Sequence, residues 1–130
     1  MKPSDSEKLT INLGFVDLGH IDLLVQDGFY SNRSDFIRTA IRNQLATHSE
    51  VAKQATNRLA LELGIRTFSR SDLETIAAKK EQLEIRVLGL AIIASDVTPD
   101  LARATIKSIT VLGALHASPA VKTALADRLN

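Results

Sequence analysis

Lys8, Thr10 and Asn12 alternate with Leu9, Ile11 and Leu13 in the segment KLTINL. In an extended strand this alternation sets three hydrogen-bonding side chains on one face and three aliphatic ones on the other. Lys8 is a cationic donor, Thr10 offers a hydroxyl and a methyl, and the planar amide of Asn12 both donates and accepts. Such a trio suits the edges of nucleobases: lysine to guanine O6 or N7, asparagine bidentately to adenine N6 and N7. A second cluster, Ser31, Asn32, Arg33 and Ser34, opens the stretch FYSNRSDFIRTAIRNQL. Backbone amides at a helix N-terminus, with the helix dipole behind them, bind anions, and Arg33 could strengthen such a site.

The elements that hold these residues follow from periodicity. Leu18, Ile21, Leu24 and Val25 have helical spacing and face the same core as Leu9, Ile11 and Leu13. Gly28 supplies a left-handed helix stop. Ser31 is placed as N-cap of the next helix, whose buried stripe is Phe36, Ile37, Ala40, Ile41 and Leu45. A six-residue strand ahead of two helices has no partner within its own domain, so its backbone groups must be met by another strand. The simplest partner is the same strand of a second copy.

This order of strand, helix, turn and helix, without a gap from Lys8 to Leu45, resembles the ribbon-helix-helix fold of CopG, MetJ and Arc type. The alternating basic-apolar start, Gly28 and the stretch YSNRSDFIR from Tyr30 to Arg38 carry the resemblance. It implies a homodimer whose paired strands enter the major groove of double-stranded DNA, with a phosphate held at the start of the second helix. Carried onto this sequence, Lys8, Thr10 and Asn12 contact bases, and Ser31, Asn32, Arg33 and Ser34 contact phosphate. Asn12 departs from the pattern, where a basic residue is more usual. The expected function is a sequence-specific transcriptional regulator, a repressor by promoter occupancy. The alternative is a scaffold or antitoxin whose ribbon-helix-helix only dimerises while the C-terminal region binds a protein.

Thr47-His-Ser-Glu50 has capping-box spacing, and Val51, Ala55 and Leu59 continue a third helix. Strand signals at Ile65 to Phe68, Leu83 to Ile93 and Ser108 to Leu115 then alternate with helices starting at Ser69, Thr98-Pro99 and Ser118-Pro119. Between the first two of these strands Leu73, Ile76 and Ala77 point inward, and Lys79, Lys80 and Glu81 outward. IRVLG at Ile85 to Gly89 echoes ITVLG at Ile109 to Gly113, an offset of 24 residues. The repeat fits either leucine-rich-repeat-like stacking or an open parallel β-α sheet. The strings SRSDLE, IRVLGLAIIASDVTPDLARATI and VLGALHASPAVKTAL are similar to C-terminal regions attached to CopG-like regulators.

The fold class is therefore α+β: a ribbon-helix-helix dimerisation domain over 1–48, a connecting helix over 49–63 and an α/β repeat over 64–130. Exposed strand edges in that repeat could draw the dimers into a higher oligomer. The 130 residues carry a net charge of +1, and 1–48 hold five Lys/Arg against six Asp/Glu. Any DNA contact must come from positioned groups rather than bulk charge. His20, His48 and His116 are scattered and there is no cysteine, so no metal site is expected. No phosphate loop or nucleophile elbow occurs, and Asp96 and Asp100 simply complement a helix dipole, so neither cofactor nor catalysis is expected. The chain lacks a signal-peptide apolar region and any membrane-length apolar run, which points to the cytoplasm.

Overall fold

The computed structural model describes residues 6–130 as a mixed α/β chain, with six α-helices and one three-stranded parallel sheet among those residues. Two compact units divide it, Ser6–Gln54 and Ala55–Asn130.

In the first unit, residues 7–14 have no regular secondary structure. Helix α1, Phe15–Gln26, keeps its expected stripe as its least exposed face, with Ile21 6% exposed. It ends where Gly28 enters the left-handed region at φ +84°. The Gly28 amide donates to the Val25 carbonyl and the Phe29 amide to that of Leu24, the paired bonds of a Schellman stop. Helix α2 is Arg33–Thr47, and Tyr30 meets Phe36 edge-to-face at 5.0 Å.

Three expectations for this unit need correction. The strand at 8–13 is not assigned within one chain, since a ladder requires a second strand and the unit has none to give. The α2 stripe is not buried: Phe36 and Ile37 are half-buried, but Ile41 is 50% and Leu45 65% exposed, because two helices alone supply no second layer against it. Thr47 caps nothing. It is the last residue of α2, its hydroxyl donates to the Asn43 carbonyl, and helix α3, Ser49–Arg58, follows directly.

The second unit is a row of strand-helix steps. Strands β1 (Glu62–Phe68), β2 (Leu83–Ile93) and β3 (Ile106–His116) lie side by side in sequence order, all parallel. Helices α4 (Arg70–Ala78), α5 (Pro99–Thr105) and α6 (Pro119–Ala124) are neighbours in the same order. Each starts on a hydroxyl cap: Ser69 accepts from the Asp72 amide, Thr98 from Leu101 and Ser118 from Val121, with Pro99 and Pro119 in the first turn. Phe68, Leu73, Ile85, Val87, Ala91, Ile93, Val97, Ala102, Ile106, Ile109, Val121 and Leu125 form one core.

Gly64, Gly89 and Gly113 stand level across the three strands at φ +121°, +138° and +122°. A Cβ at Gly89 would lie 2.3 Å from the Gly64 carbonyl oxygen, and one at Gly113 2.0 Å from that of Gly89. This is the physical content of the IRVLG/ITVLG echo. Leu63-Gly64 is a third copy of its Leu-Gly step, without the Ile and Val that precede it in the other two strands.

Candidate nucleic-acid interface

Lys8, Thr10 and Asn12 all lie in the irregular segment ahead of α1, and all three are exposed. So are their apolar neighbours: Leu9 is 81%, Ile11 62% and Leu13 40% exposed. Within one chain the alternation therefore does not sort into core and solvent. The faces exist only once something covers the leucines.

Ser31, Asn32, Arg33 and Ser34 are gathered at the start of α2, with a different cap from the one the sequence suggested. Asn32 is the N-cap, its side-chain oxygen accepting from the Asp35 amide at 2.8 Å. Ser31 precedes it, and both its amide (2.9 Å) and its hydroxyl (3.1 Å) donate to one carboxylate oxygen of Asp35. Asn32, next to the first helical residue, takes the third helical amide, while Ser31 is held by Asp35. These bonds, the backbone one first, hold the Asp35 carboxyl below its ordinary value. The first two helical amides, those of Arg33 and Ser34, have no partner along the helix.

Arg33 is not a lone cation. Its Nε and Nη2 donate to the two carboxylate oxygens of Asp22 on α1, at 2.7 and 2.8 Å, a fork that ties the two helices together. The hydrogen bond is the main reason that the Asp22 carboxyl is lowered and the Arg33 guanidinium raised from their usual values. The sequence reading missed Asp22 and Asp35. The spacing Asn32-x-x-Asp35 could have signalled the second, whereas eleven residues separate Asp22 from Arg33 with no periodic cue.

A family model described as the Ribbon-Helix-Helix transcriptional regulator family matches residues 4–122. The chain belongs to the ribbon-helix-helix transcriptional regulator family. The match takes in the helix pair of the first unit and most of the α/β unit of this ribbon-helix-helix regulator. Membership assigns it a role in DNA binding and the regulation of transcription. No curated protein and no solved structure matches the chain. Among the described residues, no group of three or more His, Cys, Asp or Glu is arranged to hold a metal ion, and no helix is long and apolar enough to cross a membrane.

Proposed function

We propose that this regulator binds specific double-stranded DNA as a homodimer and represses by occupying promoters. Residues 8–13 of two copies pair as a two-stranded ribbon. Lys8, Thr10 and Asn12 enter the major groove, while Leu9, Ile11 and Leu13 turn onto the helices of both copies. The observation that carries this reading is the unspent apolar surface of the first unit: Leu9, Ile11 and Leu13 on the segment, Ile41 and Leu45 on α2. A helix pair in water does not keep such stripes bare when a second copy can cover them.

In this reading the Arg33 and Ser34 amides and the side-chain amide of Asn32 hold a backbone phosphate at the positive end of α2, and the Ser31 hydroxyl turns from Asp35 to the phosphate when DNA is bound. Arg33 contributes from its Asp22 pair, with Nη1 outside the fork. Residues 1–48 form the DNA-binding and dimerising part, 49–63 the connection, whose helix ends at Arg58 and whose last two residues already open β1, and 64–130 the part that governs assembly.

The test is the double variant Lys8→Ala/Asn12→Ala, assayed against fragments retained by the wild-type protein at near-physiological salt. Each lost base contact should weaken specific binding by about 1–3 kcal/mol, leaving weak sequence-independent retention. The dimer should persist by sedimentation, since both side chains point away from the paired leucines. Unchanged affinity for the enriched sequence would reject the assignment of the readers.

A further inference from the structure

The parallel sheet ends in two edges of unlike kind. Along β1, Glu62–Phe68, no outer strand is paired among the described residues. The outer edge of β3 is covered only at Ile109 and Thr110 among the described residues. Leu129 bridges Ile109 in parallel, the Asn130 amide donates to the Ile109 carbonyl at 2.9 Å, and the Asn130 side chain reaches the Thr110 hydroxyl at 3.1 Å. From Val111 to His116 no such cover is found among the described residues. That open stretch is level with β1: Val111 stands opposite Val87 and Val87 opposite Glu62, while His116 stands opposite Ile92 and Ile92 opposite Thr67.

We propose that β1 of a second copy adds in parallel to the β3 edge, with its Gly64 level with Gly113, so that one sheet runs on from copy to copy. The contact is with this same chain because its two edges fit each other in three ways. The open stretch of β3 has the length and level of β1. The register places the second copy's Leu63 beside Leu112, and these two side chains are 80% and 50% exposed in the single chain; the 59%-exposed Ile65 falls beside Ala114. Last, the glycines select the register. Gly89 and Gly113 each lie against the carbonyl of the glycine before, whereas a Cβ at Gly64 would meet nothing within 4 Å. By the same geometry the Gly113 carbonyl accepts only a glycine beside it, and a slip by one residue would bring the Cβ of Leu63 or Ile65 against it.

The two surfaces in this contact differ, so it is heterologous and each added copy leaves one edge of each kind to continue, until a ring closes. It goes beyond the DNA reading and does not depend on it.

The chain has no cysteine, which makes cross-linking a clean test. Neighbouring strands lie about 4.8 Å apart, within the Cα range of a disulfide. Leu63→Cys and Leu112→Cys, prepared separately in the full chain, mixed and oxidised without DNA, should join to each other. Neither should join to itself at a comparable rate, and Ile65→Cys with Leu112→Cys, out of level by two residues, should react more slowly. A prevailing Leu63→Cys self-bond would mean antiparallel pairing of two β1 edges and overturn the proposal. So would cross-linking no faster than in the out-of-level control. A charge pair gives a second reading: Leu63→Lys/Leu112→Lys should raise the half-assembly concentration about tenfold or more, and Leu63→Glu/Leu112→Lys should restore it. Equal assembly by both doubles would also reject it. Because no DNA is present, failure here leaves the base-reading assignment standing, and the converse holds.

Discussion

At the scale of residues, the start of α2 is a negotiated site in which two carboxylates already take part. Asp22 occupies Nε and Nη2 of Arg33, and Asp35 takes both donors of Ser31. Asp22→Ala should free the guanidinium for phosphate. DNA binding should then strengthen alike on all sequences, with the salt slope steeper by up to about 0.9, as measured by titration at several ionic strengths. Arg33→Ala should do the reverse, and a change in base preference would contradict a phosphate role. Asn32→Ala removes the cap of α2 and should cost about 1 kcal/mol in denaturant melts of the dimer. Asp35 sets a pH dependence. Its folded-state value is lowered, so its contribution is complete above the ordinary aspartate value of 3.8 and is lost as pH falls through the lower folded value. Faster exchange of the Ser31 amide and loosening of the first turn of α2 should therefore appear only below that range, and not near neutrality.

At the scale of elements, the glycine column separates two kinds of cost. Within one copy Gly64→Ala introduces backbone strain alone, about 1–2 kcal/mol, because its Cβ would meet open space, and only in the joined sheet would it also meet the Gly113 carbonyl of the next copy. Gly89→Ala and Gly113→Ala add a collision with a backbone carbonyl that cannot rotate away, and each should lose about 3 kcal/mol or more in thermal or denaturant unfolding. The α/β steps were legible in the sequence because local chemistry marks them. Hydroxyl caps before Pro99 and Pro119, the Ser69 cap and the aliphatic runs of β2 and β3 fall where they were expected, to within two residues at the strand ends. The third glycine was hidden because β1 shares only Leu-Gly with the other strands. In the candidate site, the groups at the start of α2 could be read from composition, but the Asp22–Arg33 fork could not, since a tertiary pair leaves no period. The segment at 8–13 shows the opposite limit: its alternation is plain in sequence, yet its strand is not a property of one chain.

At the scale of the whole molecule, the two units have unequal means of holding themselves together. Residues 55–130 enclose a continuous core, whereas in 6–54 Ile21 is the one buried side chain among the described residues. If the first unit completes its core only by pairing, its unfolding should be concentration-dependent, the midpoint rising with protein concentration, while signals from the sheet unit respond to the edge contact instead. Fluorescent or isotopic labels placed separately in α2 and β2 would distinguish the two transitions; a concentration-independent α2 transition would show that one copy suffices. The column of glycines has a further consequence. Each strand asks of the strand before it only a parallel ladder and a glycine at one level, and every step returns the chain to the same position one strand over. The β-α step is thus a unit of copy number, like a bead on a string. Duplicating residues 84–107 in tandem, the 24-residue period that carries Gly89 to Gly113, should lengthen the sheet by one strand, leaving both edges and the helix pair of the first unit unaltered.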